Sequence, residues 1–399
     1  MLRFIHAGDL HFDRSFEGLS NLVAEAGQLL PQLNQKMLDN LVGAACKRQV
    51  DFVLLAGDTF HQSRPSLKAQ NQLMAAFRQL AKAQIPVYLI FGNHDYYQAE
   101  RYWFDFPENV SLFTSEQVRS FVGHNQSGED YEITGFSYQE GFVRKNMLKE
   151  FPKRSQATYH IGLYHGELQG ENYAPFSLSE MKVKGYDYWA LGHIHVPTTL
   201  SEQPPMLYPG TPQGHNRKET EAGFVTYVEL SPGRCKTEPI LVASWLWQKK
   251  VVDVSSCQSP KELLAFVEEY LSEAQTHATF IELNLANVSS NLQSSGLKNG
   301  EFQTYLNQVL WQKTPPRQIA ALKFLNAPLA TDKIALPKKQ VAQILQVYQG
   351  QPVFDDLLQE IVDHPVAGSL VRDDQDYQAA VLKQAADILA TDFLLEEEE

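Results

Sequence analysis

Residues 86–95 read PVYLIFGNHD, an apolar run that closes on a glycine, an amide, an imidazole and a carboxylate. A buried strand explains VYLIF, because β-branched and aromatic runs bounded by turn residues fit a covered sheet. Packing does not explain NHD. Polar groups just past a strand end are what a ligand site in an open α/β sheet requires, since its crevice lies beyond the carboxyl ends of the strands.

Four other segments repeat this arrangement. GDLH (8–11) follows LRFIHA, GDTFH (57–61) follows FVLLA, YHGE (164–167) follows HIGL, and GHIH (192–195) follows YWAL. Together with GNHD they supply Asp9, His11, Asp58, Asn93, His94, His165, His193 and His195. Imidazole, carboxylate and amide donors without thiolate form the ligand inventory of a pair of catalytic divalent ions, Mn with Fe or Zn as alternatives, and not of a structural zinc site. Two ions roughly 3.5 to 4 Å apart need one bridging carboxylate, and Asp58 suits that place. Asp9, His11 and His195 would complete one ion, and Asn93, His165 and His193 the other. His94 is then free to protonate a leaving oxygen as a general acid. Such a centre activates water for attack on a phosphate ester. Gly92 permits the sharp turn into the motif, and Asp95 is expected to hold the local backbone.

The rest of the first 240 residues supports a layered α/β fold. Residues 33–48 place Leu33, Met37 and Leu41 on one helical face, and 66–84 do the same with Leu67, Leu73, Phe77 and Leu80. EITGFSY, PMLYPGT and GFVTYVEL read as further strands. His6 and His160 fall inside strands and read as core residues; His124, His277 and His364 read as surface groups, and His215 stays ambiguous. A smaller α/β unit is expected over 245–330, from VVDVSS, KELLAFVEEYLSEAQ and TFIELNLA, and a helical region over 336–399 ending in EEEE. The expected domains are thus 1–240, 245–330 and 336–399.

Composition limits the chemistry. Against 34 Lys and Arg stand 47 Asp and Glu, with most of the excess after Pro239. This argues against a surface that holds nucleic acid by bulk charge. Arg64, Lys68, Arg144, Lys145, Lys149, Lys153 and Arg154 offer a local basic path or an ordinary solvated surface. Three scattered cysteines argue against a disulfide frame. The first residues lack a signal-peptide pattern and no apolar run spans a bilayer, so a soluble cytoplasmic protein is expected.

At these motifs the sequence resembles the calcineurin-like metallophosphoesterases, and within them the branch of DNA-repair exonucleases that holds SbcD-like and YhaO-like proteins. GDTFHQSRPS (57–66) is similar to that branch's GD-x-F-H-x-x-x-PS segment, and YPGTP (208–212) to its PGS segment. The resemblance implies a β-sandwich flanked by helices with a small α/β capping domain and a helical C-terminal tail. It adds His61 as a residue near the substrate. It also implies DNA as substrate, a homodimer, and an SMC-like ATPase partner docked on the tail. Two other readings compete: a phosphoesterase for nucleotides or small esters, and a DNA-end or ATPase adaptor with a structural site. The segment of about 160 residues after the first domain disfavours the former, and the intact His61 and His94 the latter.

Overall fold

The structure is a computed structural model that describes residues 1–289, 292, 300–325, 335–337, 346, 381 and 394–396. In chain order its first part contains β1 (Leu2–Ala7), α1 (Ala24–Arg48), β2 (Phe52–Ala56), α2 (Leu67–Lys82), β3 (Val87–Ile90), β4 (Val110–Leu112), β5 (Arg119–His124) and β6 (Asp130–Gly135). There follow β7 (Tyr159–His165), α3 (Leu178–Lys184), β8 (Tyr188–Gly192), β9 (Thr198–Glu202), β10 (Pro205–Tyr208), β11 (Phe224–Ser231) and β12 (Arg234–Leu241). One sheet runs β12-β11-β1-β2-β3-β4 and the other β5-β6-β7-β8-β10-β9.

Period-two alternation puts each central strand between two cores. Leu2 and Phe4 of β1, Phe52 and Leu54 of β2, and Tyr88 and Ile90 of β3 face the second sheet, meeting Ile133, Tyr159, Ile161 and Tyr188. Ile5, Val53, Leu55, Val87 and Leu89 face the opposite way, onto Met37, Leu41 and Ala45 of α1 and Leu73 and Phe77 of α2. Each such large side chain contributes about 1.5–3 kcal/mol when fully buried. His6 lies on the sandwich face, fully buried, and ties the sheets through Tyr188 Oη (3.0 Å) and the Leu191 carbonyl (3.1 Å). This is the α/β sandwich with flanking helices that the family resemblance implied.

Strands β1, β2 and β3 are mutually parallel, as are β6, β7 and β8. The carboxyl ends of β1, β2, β3, β7 and β8 therefore gather at one rim. Gly192 permits the closest approach there, because a Cβ on it would stand 1.9 Å from the Ala56 carbonyl oxygen.

Helix α1 begins at Ala24, well before Leu33, and carries Pro31 inside it. A proline there removes the bond to the Gly27 carbonyl, so sequence periodicity alone places the start after it. Burial overrides that cost, since Leu29 and Leu30 pack beside Trp245, Trp247 and Phe280. The polar edge strands β5, β9 and β12 carry too little alternation to be read from sequence, and all three pair antiparallel to their neighbours.

Beyond these lie β13 (Trp245–Asp253), α4 (Pro260–Ser272), β14 (Ala278–Ala286), α5 (Glu301–Trp311) and β15 (Arg317–Leu325). The strands form a three-stranded parallel sheet with its own core of Leu263, Val267, Ile281, Leu283, Leu306 and Ile319. Trp247 Nε1 donates to the Gly214 carbonyl at 2.9 Å, fixing this sheet to the loop after β10. Contacts divide the chain into Met1–Leu325 and Asn326–Glu399. The second unit's described residues include β16 (Ala335–Pro337) and β17 (Leu394–Glu396), paired in parallel. The expected helices at 338–348, 354–364 and 376–395 lie almost wholly outside the described residues, as does His364. No helix among the described residues is long and apolar enough to cross a membrane.

Candidate metal centre

The last residue of β7 and the loops after β1, β2, β3 and β8 bring together every residue selected from the motifs. Asp9, His11 and His195 offer ligand atoms mutually within 4.8 Å, as do Asp9, Asp58 and His165. His11 Nε2 stands 3.0 Å from His195 Nε2 and 3.9 Å from Asp58 Oδ2. On the other side of Asp58, His165 Nε2 is 3.6 Å from Oδ2 and 3.0 Å from Asn93 Oδ1, and His193 Nδ1 is 3.2 Å from the same amide oxygen. Asp58 thus stands between two groups of donors.

Hydrogen bonds on the outer side of the rings decide which atoms point inward. His165 Nδ1 donates to the Ala56 carbonyl at 2.9 Å, and His195 Nδ1 to Glu219 Oε1 at 3.2 Å. Both acceptors lack protons, so each ring commits its Nδ1–H outward and turns Nε2 toward the centre. Burial lowers the His195 pKa, but its bond to Glu219 and the nearby carboxylates outweigh that and raise it. Burial pushes His165 down to about 3 and His193 down to about 4, and it drives His11 well below the usual histidine range. Those rings stay neutral at pH 7. Asp9 moves the opposite way, to about 7, through burial and the neighbouring Asp58 carboxylate, and burial raises Asp58 as well. A space lined by imidazole lone pairs, two carboxylates and an amide oxygen fits divalent cations, which would repay the burial of both acids.

The backbone is strained at the same positions. Asp9, His11, Asp58 and His193 have φ of 52°, 42°, 50° and 110°, a region that costs a side-chain-bearing residue about 1–3 kcal/mol. Specific bonds hold it. Asp95 accepts from Gly92 N (2.8 Å), Thr59 N (2.8 Å) and Phe60 N (3.2 Å), clamping the β2 and β3 loops together. Thr211, in the PGTP turn, donates to the Asp9 carbonyl at 2.8 Å, and the His193 amide donates to the Asp9 carboxylate.

His94 and His61 stack at 4.9 Å beside His11. His94 Nδ1 donates to the His61 carbonyl at 3.1 Å, which leaves Nε2 to face incoming groups, while its amide donates to Asp58 Oδ1 at 2.9 Å. Around the rim, Tyr173 lies against the His193 ring at 4.6 Å, and half-exposed Phe142 carries the Arg144 guanidinium 5.1 Å above its ring. Of the basic path, Arg154 is bound to Asp187 and Lys145 to Glu150, so these two serve internal pairs.

Several residues with clear work in the centre escaped the motif reading. Glu219 and Asp13 belong to no motif and act by contact, Asp13 by accepting the His61 amide, and Thr211 lies in the YPGTP segment without a role legible there. His215 is buried and donates from Nε2 to Asn34 Oδ1 at 3.0 Å, so it braces the loop instead of entering the site. His6 and His160 are fully buried, as core residues should be.

The family model described as calcineurin-like phosphoesterase matches residues 2–197. An uncharacterized metallophosphoesterase of Bacillus subtilis, YhaO, is 36% identical over 277 residues, 68% of each chain. The DNA double-strand break repair protein Mre11 of Methanocaldococcus jannaschii is 32% identical over 155 residues, 36% of this chain and 40% of that protein. The SbcD subunit of the Bacillus subtilis nuclease SbcCD is 23% identical over 313 residues, 67% of this chain and 76% of that protein. The chain belongs to the calcineurin-like phosphoesterase family, whose members depend on two metal ions, and it is a hydrolase acting on ester bonds.

Proposed function

We propose that the chain is a Mn-dependent phosphodiesterase that cleaves DNA, as a nuclease in DNA repair. The observation that carries the chemistry is the inward convergence of the His165 and His195 Nε2 atoms on buried Asp9 and Asp58. Asp9, His11 and His195 would hold one ion, Asn93, His165 and His193 the other, with Asp58 shared. When bound, the ions supply an activated water and neutralise phosphoryl charge. In our reading His94 acts as the imidazolium: its Nδ1–H stays on the His61 carbonyl, its Nε2–H goes to the leaving oxygen as the bond to phosphorus breaks, and the ring is left neutral.

The choice of DNA draws on relatives named for break repair and nuclease activity. It also draws on the rim, where the Phe142 ring and Arg144 offer the stacking and cationic contacts that a nucleotide chain uses. With net charge −13, the chain has little bulk attraction for a polyanion, so a partner would contribute affinity. We take that partner to be an SMC-like ATPase engaged by residues 336–399, and the nuclease to act as a homodimer.

The test is Mn-dependent hydrolysis of labelled linear DNA beside bis-p-nitrophenyl phosphate and mononucleotides. Cleavage of DNA and the diester, with mononucleotides spared, supports the proposal. Turnover of mononucleotides with DNA intact, even with the ATPase present, would overturn it in favour of a small-ester phosphatase.

A further inference from the structure

Glu219 stands in the loop after β10, outside every motif, yet its carboxylate joins three parts of the chain. Oε1 accepts from His195 Nδ1 at 3.2 Å and from Arg14 Nη1 at 3.1 Å, and Oε2 accepts from the His215 amide at 2.6 Å. The carboxylate is 11% exposed and held by all three of these bonds, so its place is fixed.

Its surroundings are braced in turn. Arg14 sits just past the GDLH motif, and its carbonyl accepts from Asn34 Nδ2 at 3.0 Å; Asn34, on α1, also receives His215 Nε2. Two sequence-distant loops are thus locked around one carboxylate. His195 needs such a lock, because its side chain is 31% exposed while His11 and His165 are almost wholly buried. Packing fixes those two rings; a rotation of His195 would carry its Nε2 away from His11.

We infer that Glu219 is the positioning residue of His195: its carboxylate fixes the ring's tautomer and orientation, so that Nε2 is presented to the ion shared with Asp9 and His11. This rests on the two-ion reading above. Carboxylates in this relation to a metal-binding histidine change metal affinity about 10- to 100-fold when removed.

The experiment is calorimetric titration of Mn2+ into the metal-stripped full chain. Variants are Glu219→Ala, Glu219→Gln, His195→Ala and the Glu219→Ala/His195→Ala pair. The wild type should bind two ions. Glu219→Ala should weaken one of them about 10- to 100-fold and leave the other unchanged, which also shows that the variant is folded. Glu219→Gln, whose amide oxygen can still accept from His195, should lose less. In the His195→Ala background the Glu219 substitution should cost nothing more. Unaltered binding in Glu219→Ala, equal weakening of both ions, or an undiminished loss without His195 would overturn the inference. A wild type that binds no ion would instead remove the two-ion reading beneath it, and the inference with it.

Discussion

His165 Nε2 lies 3.0 Å from Asn93 Oδ1, and with Nδ1 of the ring committed to the Ala56 carbonyl, neither atom has a proton for the other. Two acceptors held that close repel unless a cation lies between them. The β3 loop and the end of β7 that carry them are set by the sheets, so the repulsion is built into the fold. The site is arranged for its ligands at the expense of the empty protein, and that trade can be measured.

Asp58→Asn should reverse the order of stability with and without metal. Burial disfavours the Asp58 carboxylate, and the amide keeps an oxygen to accept from the His94 amide. The metal-free variant should be more stable than the wild type by about 1 kcal/mol. With Mn2+ at a hundred times its dissociation constant, the wild type should gain about 2.7 kcal/mol and the variant little. Urea melts with and without EDTA read both, and wild-type-like stabilisation of the variant by Mn2+ would count against Asp58 as a shared ligand.

Gly92→Ala should abolish metal binding while the fold persists. A Cβ there would come within 2.2 Å of Asp58 Oδ1 and 2.7 Å of His165 Nε2, so both side chains must move. Metal content by mass spectrometry should fall below one ion per chain. Full loading would mean that the loop yields more easily than these contacts allow.

His94→Ala should slow DNA cleavage about 10²- to 10⁴-fold, as loss of a general acid does, with metal content unchanged. The p-nitrophenolate of bis-p-nitrophenyl phosphate leaves without a proton, so that substrate should lose far less. Equal losses on the two substrates would assign His94 to binding instead of proton transfer.

Acid should destabilise the metal-free protein partly through His6. Burial lowers its pKa to about 3, against 6.5 for an ordinary histidine. The unfolded chain therefore takes the proton first. The stability contributed by neutral His6 is complete above pH 6.5 and is lost as pH falls toward 3, at up to about 1.4 kcal/mol per pH unit. Between pH 5.5 and 4 the His6→Leu protein should show a slope shallower by about that amount. Parallel slopes in urea melts would rule His6 out as a source.

The centre was legible because its ligands come just after apolar strands, where local pattern and chemistry coincide. GDLH, GDTFH, GNHD, YHGE and GHIH could be found without knowing which strands pair. Glu219 could not, since its partners Arg14 and His195 lie 205 and 24 residues away and nothing local marks it. Asp13 was hidden for the same reason, and Thr211 stood in the quoted YPGTP segment without its role, as both act through backbone groups of other loops. Among the elements, β1, β2 and β3 showed as buried runs, whereas the start of α1 was obscured by Pro31, whose cost is offset by contacts with a sheet more than 200 residues later.

The most direct measurement is the number of divalent ions that the metal-stripped chain binds, by calorimetry with Mn2+ and by elemental analysis of the loaded protein. Two ions per chain for the wild type, with both lost or strongly weakened in Asp58→Asn, is the predicted result. A single ion, or two ions indifferent to Asp58, would contradict a centre built around that shared carboxylate.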